Sequence, residues 1–367
     1  MNRVLLIAGA ALLLLPSHLR AAPARTGPFR SAAVCAECHP ESYRTWRSSR
    51  HASASTDPAY RIPCDRIVAE NAPRAIPCEQ CHNPMRSLLS PRDPRAVHFS
   101  REGVTCDFCH AVPHATSEFC AGCHEYRNEH GAPILTTASE WEESVYRGTG
   151  VHCQSCHFPR LSDASSIGGK RRIGPVDHAM AGGQTRERLS GAIPIRAQLL
   201  LSGSEARVLA SVRNERVGHA TPGGLPAHRI RLTATIHDAA GNDLGRREEV
   251  FERVLGDGKG KPLTNTAEIF LDAREVLKDN RIRPKESRQV RFSFPLDNGV
   301  PAAALVSLAY EMQAPGAAPA LRHVATPIAE KVVIAEAAGF RGKAVILLAA
   351  AVLAILVWAA FRKKRPA

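Results

Sequence analysis

The stretch that decides the architecture is Gly103-Val-Thr-Cys106-Asp-Phe-Cys109-His110-Ala-Val-Pro-His114-Ala-Thr-Ser-Glu-Phe-Cys120-Ala-Gly-Cys123-His124. It spells Cys-x-x-Cys-His twice. The same pentapeptide recurs as Cys35-Ala-Glu-Cys38-His39, Cys78-Glu-Gln-Cys81-His82 and Cys153-Gln-Ser-Cys156-His157. At this composition chance gives about 0.01 copies, so five copies point decisively to covalent c-type haem attachment. Two thiols capture the two vinyl groups of one porphyrin, and the adjoining His reaches the iron from one face. Zinc would need paired Cys-x-x-Cys units converging on one metal and would not require a His after each. Ten of the 11 cysteines are thereby used. Cys64 is left over and reads as a spare buried thiol with no disulfide partner.

All five motifs lie between residues 35 and 157, so each haem has about 25–30 residues around it, too few for separate apolar cores. Porphyrins packed against one another must serve as the core. The low aromatic content, 5%, agrees with this.

Working outward, Arg3, the apolar run Val4 to Leu15 and Ala22-Pro23-Ala24 read as a secretory signal peptide over residues 1–24. At the other end, Ala344 to Phe361 carries no charge and is followed by Arg362, Lys363, Lys364 and Arg365. This predicts a transmembrane helix over 344–361 and a cytoplasmic basic tail over 362–367. The expected location is the inner membrane, single-pass, with the bulk of the protein in the periplasm and the lipid bilayer as a partner. The formal charge of +13 falls to roughly +6 once the signal peptide is removed and five haems are added, each contributing about −1. No nucleic-acid partner is expected.

The opposite face of each iron takes Met for a high potential or His for a low one. Downstream of the signal peptide only Met85, Met180 and Met312 are available, whereas ten His lie outside the motifs. Mostly bis-His, low-potential haems follow.

The run Cys35-Ala-Glu-Cys38-His39-Pro-Glu-Ser-Tyr43-Arg-Thr-Trp46-Arg-Ser-Ser-Arg-His51-Ala resembles the opening of multihaem cytochromes of the cytochrome c-554 and hydroxylamine oxidoreductase type. So do Gly103-Val-Thr-Cys106, Ser117-Glu-Phe-Cys120-Ala-Gly-Cys123-His124-Glu-Tyr126, Thr137-Ala-Ser-Glu140-Trp141 and Cys153-Gln-Ser-Cys156-His157-Phe-Pro159. The resemblance covers about residues 33–225. It implies distal ligands at His51, His114, His178 and His219. The fifth is open, with His98 preferred over His152 and His130. No motif carries Lys in place of its His, so the proximal ligand of pentahaem nitrite reductases is absent.

After Gly182-Gly183 the texture changes. Ile230, Leu232, Ala234 and Ile236 alternate with Arg229, Arg231, Thr233 and Thr235, a period of two. Val290, Phe292 and Phe294 alternate likewise, as do Val306, Leu308, Tyr310 and Met312. Six or seven antiparallel strands closing as a sandwich are expected, with α+β as the alternative because Thr266 to Lys278 has helical character. His228, His237 and His323 read as ordinary surface residues of this half.

The expected fold is therefore multidomain. A haem-packed, mostly helix and loop cytochrome region spans 25–190, an all-β sandwich-like region spans 191–335, and one transmembrane helix follows. The expected function is electron transfer between redox partner proteins, a membrane-side donor and a periplasmic or outer-membrane acceptor. The alternative is a reductase or oxidase of small nitrogen or sulfur compounds (nitrite, hydroxylamine, tetrathionate) at one open haem face.

Overall fold

The computed structural model describes residues 29–90, 92–111, 114–161, 176–183, 185–202, 204–298, 300–312 and 325–335. Its first half is a succession of short helices. Pro40, Pro58 and Pro84 open the helices Pro40–Arg47, Pro58–Asn71 and Pro84–Leu88. Their fixed φ suits the first turn, where no N–H donor is needed. Asp57 caps the second by accepting the Ala59 N–H at 2.8 Å, and Asn83 caps the third through the Arg86 N–H at 3.3 Å.

Four motifs sit on helices of their own, Ile76–His82, Cys106–His110, Ser117–His124 and Cys153–His157. The first starts within Ala32–Ala36. Cysteines three apart share a helix face, which presents both thiols to one side. Apolar burial in this half is sparse among the described residues. Ala32, Trp46 and Ala52 form one cluster; Tyr60, Cys64, Ile67 and Ala75 form another, which borrows Ala267 from the second half.

A hairpin, β1 (Glu125–Arg127) with β2 (Pro133–Thr136), leads toward the strands of the second half. These are β3 (Ile195–Ser202), β4 (Glu205–Arg213), β5 (Arg229–His237), β6 (Asp243–Gly256), β7 (Glu275–Asp279), β8 (Ser287–Pro295), β9 (Ala303–Glu311) and β10 (Ala325–Ile334). They form a three-stranded sheet, β3-β4-β8, and a five-stranded sheet, β10-β9-β5-β6-β7, with every pairing antiparallel. Val208, Phe292 and Phe294 from the first sheet and Ile230, Leu232, Val306 and Leu308 from the second belong to one buried cluster, so the sheets face each other as two layers. The alternation read from 229–236 holds for Ile230, Leu232, Ala234 and Ile236, all buried. Thr266–Asp272 is helical, and the chain then extends into β7.

The membrane expectation is corrected. Among the described residues no helix is long and apolar enough to cross a membrane. The longest described helix, Pro58–Asn71, has 14 residues; at about 1.5 Å per residue it falls well short of a hydrocarbon core of about 30 Å. Among the described residues the fold is thus a helical haem-motif region plus a large β region, with no transmembrane helix. The single-pass inner-membrane location and the bilayer contact through a C-terminal helix find no support in any described helix. Residues 1–24, 344–361 and 362–367 lie outside the described residues, as does His323.

The two halves meet along a broad seam. Ala132 and Ile134 of the hairpin pack with Leu255, Leu263, Ile269 and Ala273. Asn128 donates to the Ala273 carbonyl at 2.8 Å. The buried Arg253 guanidinium donates to Thr136 Oγ1 at 2.7 Å and to the Ile134 carbonyl.

Candidate haem-binding site

The motif cysteines gather from separate helices. Cys35 meets Cys106, Cys81 meets Cys123, and Cys120 meets Cys153, while Cys109 lies near Cys120 and Cys123. The fourth motif thus stands at the centre of the set. The eleventh cysteine, Cys64, is buried, with Sγ 3.4 Å from the Tyr60 hydroxyl and in contact with Cys78.

Three motif histidines face an imidazole from elsewhere in the chain. The ring centroids are 6.1 Å apart for His124 and His51, 6.4 Å for His110 and His178, and 6.5 Å for His157 and His219, the last pair only 11° from parallel. A metal–imidazole bond is about 2 Å and each centroid stands about 1.1 Å behind its nitrogen, so two imidazoles sharing one iron have centroids roughly 6.3 Å apart. The donor set therefore fits haem iron held between two histidines.

Anchoring of the rings agrees. Nδ1 of His178 lies 2.8 Å from the Val176 carbonyl, that of His219 2.9 Å from the Ala220 carbonyl, and that of His82 2.9 Å from the Ala54 carbonyl. Such contacts turn Nε2 outward, toward a metal. Burial pushes His51 and His157 down to about 4, and likewise lowers His82, His110, His124 and His219. All are neutral at pH 7, the form that ligates.

Local sequence explains why His51 arrives where it does. Gly103 takes φ +58° and passes over the His51 turn. The next residue, Val104, donates its N–H to the His51 carbonyl at 2.9 Å and accepts the Trp46 indole N–H at 2.9 Å. The segment leading into the third motif therefore clamps the loop that carries His51.

The other candidates fall elsewhere. His114 stands 4.6 Å from His110 in an edge-on contact, too close to share an iron with it. His98 is exposed on the helix Arg95–Phe99, with Nε2 3.2 Å from Glu102. His152 caps the fifth motif helix and contacts Ser117 Oγ at 3.2 Å. His130 is exposed near Glu129. His39 lies close to His110 at the start of Pro40–Arg47. His82 stacks on the Tyr60 ring, 4.1 Å away and 8° from parallel. Beside it opens a cleft of about 420 Å³ lined by Ser55, Thr56, Asn83, Arg61, Arg86 and Arg101.

Two histidines read as surface residues are not. His228 is half-buried, its Nδ1 3.0 Å from both the Tyr310 hydroxyl and the Gly223 carbonyl. His237 is buried, with Nδ1 2.7 Å from Asp243. Each sits at an end of β5, where simple alternation says nothing about long-range neighbours.

Sequence reasoning also missed the group that holds His219. Glu140 Oε2 accepts the Ala220 N–H at 3.0 Å, and its Oε1 accepts from Thr136 Oγ1 and Arg281, both at 2.6 Å. Glu140 lies in the quoted Thr137-Ala-Ser-Glu140-Trp141 run, but nothing local there marks its partner, 80 residues later.

A family profile described as "Cytochrome c554 and c-prime" matches residues 34–111. No curated protein matches the chain. Among solved structures, a penta-heme cytochrome c552 from Thermochromatium tepidum is similar in fold, with a TM-score of 0.64 at 22% identity, covering 83% of this chain and 98% of that one. The C-terminal domain of wzt, at 13% identity, covers 41% of this chain and 74% of its own with a TM-score of 0.19, too low to inform the fold. The motifs, the profile match and the shared fold support a multihaem c-type cytochrome with covalently bound haem, carrying electrons to and from redox partner proteins.

Proposed function

We propose that this chain carries five haems c, one at each Cys-x-x-Cys-His motif, and relays single electrons between redox partner proteins in the periplasm. Cys35, Cys38, Cys78, Cys81, Cys106, Cys109, Cys120, Cys123, Cys153 and Cys156 hold the porphyrins. His39, His82, His110, His124 and His157 bind the irons from one face. His51, His178 and His219 complete the irons of the fourth, third and fifth motifs. The observation that carries the reading is the set of three imidazole pairs at 6.1–6.5 Å, each joining a motif histidine to a distant one.

The bound haems supply reversible one-electron chemistry. The protein orients each iron through anchored imidazoles and tunes it by ligand type and burial. The thiol contacts support a relay that does not follow motif order: first to third, third to fourth, and from the fourth to both the second and the fifth. The β region is the scaffold that presents His219.

Mass spectrometry of the holoprotein, expected to give five covalent haems, tests the count. Electron paramagnetic resonance of the ferric protein tests the ligands. Low-spin signals from the bis-His sites are expected, and His219→Ala converts one of them to high-spin. An unchanged spectrum removes His219 from the ligand set.

A second reading is favoured at one site only. The cleft beside His82 is lined by Arg61, Arg86 and Arg101 and by Glu79, which pairs with Arg86, while Arg61 pairs with Asp65; the remaining excess of cations suits small anions. Reduction of a nitrogen or sulfur compound at an open haem of the second motif predicts a high-spin signal there that nitrite or cyanide perturbs.

A further inference from the structure

We infer that Glu140 is a positioning residue for the proposed ligand His219. It fixes from the haem-motif half the peptide that carries a ligand borne by the β half. This rests on the reading of His219 as an iron ligand.

The peptide unit between His219 and Ala220 is held at both ends. The His219 carbonyl accepts from Asn214 Nδ2 at 2.9 Å, and the Ala220 N–H donates to Glu140 Oε2 at 3.0 Å. The His219 ring closes the arrangement, with Nδ1 2.9 Å from the Ala220 carbonyl. Asn214 is fully buried; it also donates to the Ile282 carbonyl at 3.1 Å and accepts the Val217 N–H at 3.0 Å. One partner of the peptide thus belongs to the β half and the other to the motif half.

Glu140 is itself fixed. Arg281, buried, donates to its Oε1 while holding Asp279 at 2.8 Å, and Thr136 donates to the same oxygen. Gly218 adds shape: a Cβ there would stand 3.4 Å from Trp141 and 3.6 Å from Tyr146. Those are ordinary van der Waals distances, so the loop lies directly on the aromatic rings that follow Glu140 in sequence. Rotation of the peptide would swing the imidazole away from His157, so an acceptor at Oε2 governs whether the second nitrogen reaches the iron.

The test uses the full haem-loaded chain. Glu140→Ala removes the acceptor. Glu140→Asp keeps the charge but withdraws both carboxylate oxygens by about one bond length, from Ala220 and from Arg281 alike. Glu140→Gln has one acceptor oxygen for three donors: turned to Thr136 and Arg281, it sets its amide N–H against the Ala220 N–H. Asn128→Ala is the control, since Asn128 bridges the same two halves through Ala273, away from the ligand peptide.

Glu140→Ala, Glu140→Asp and Glu140→Gln are expected to gain high-spin ferric signal, up to about a fifth of total haem, with a shifted potential for that haem. Asn128→Ala is expected to stay low-spin, whatever its unfolding midpoint. If Glu140→Ala does not fold, the contrast between Glu140→Asp and Asn128→Ala decides. Unchanged spectra in Glu140→Asp, or an equal change in Asn128→Ala, overturn the inference. His219→Ala runs in parallel. If it yields no high-spin haem, the ligand reading itself fails; if it does and the Glu140 variants do not, only this inference fails.

Discussion

Replacing Gly103 by alanine isolates the clamp on the His51 loop. Gly103 lies at φ +58° and Gly131 at φ +78°, both in the left-handed region. A Cβ at Gly131 meets open space. Gly131→Ala therefore costs only the conformational penalty, about 1 kcal/mol, or roughly 2–4 °C in unfolding midpoint. A Cβ at Gly103 would overlap the His51 carbonyl oxygen and stand 3.0 Å from the Ala52 carbonyl oxygen and the Ala54 nitrogen. These are backbone atoms that cannot rotate aside, so the turn must move by about an ångström and Val104 loses its bond to His51. Adding that bond and the repacking brings Gly103→Ala to about 3 kcal/mol, roughly 6–12 °C. Calorimetry of the holoprotein measures both midpoints, and paramagnetic resonance follows the haem proposed for His124 and His51. The expected result is a larger loss for Gly103→Ala together with an altered low-spin signal. Equal losses for the two variants, or an unchanged spectrum in Gly103→Ala, would refute the clamp.

His228→Ala breaks the contacts with Tyr310 and Gly223 and is expected to cost about 1–3 kcal/mol without creating high-spin haem; denaturant titration and spectra check both. Leu232→Ala, at a fully buried site between the sheets, should cost about 2–5 kcal/mol by the same titration. Burial raises the Glu311 pKa, but hydrogen bonds from Arg231 and Arg229 outweigh it and leave the value below 4.5. Its stabilisation is thus complete above the unfolded value and lost as pH falls through the lower folded one. Glu311→Gln should flatten the fall in unfolding midpoint below about pH 4.5. Without haem attachment, residues 29–161 should show little amide protection in hydrogen exchange while β3–β10 remain protected, because only the β half has a large apolar core.

The motif residues were legible because covalent chemistry demands fixed spacing. The β strands were legible because Ile230 to Ile236 alternate between a packed and a polar face. Distant pairings were harder. His51, His178 and His219 came from resemblance, since an imidazole carries no local mark of what it faces. The Glu140 contact with Ala220 spans 80 residues and His228's bond to Tyr310 spans 82, separations that no local pattern encodes. The expected transmembrane helix rested on the uncharged run 344–361 and the four basic residues after it, a stretch outside the described residues, and no described helix bears it out.

The seam between the halves also has a direction in time. Polypeptides emerge amino end first, at about 5–20 residues per second. His157 therefore leaves the ribosome about 3–12 s before His219, and Glu140 earlier still. The fifth motif and the carboxylate that awaits Ala220 exist before the β strands that bring them a partner. Strand pairing in β4 and β5, on either side of residues 214–228, becomes the late step that closes the last of the three imidazole pairs. A chain truncated before residue 219 would keep every attachment motif and lack the proposed ligand His219, so its spectrum would report how far synthesis had gone.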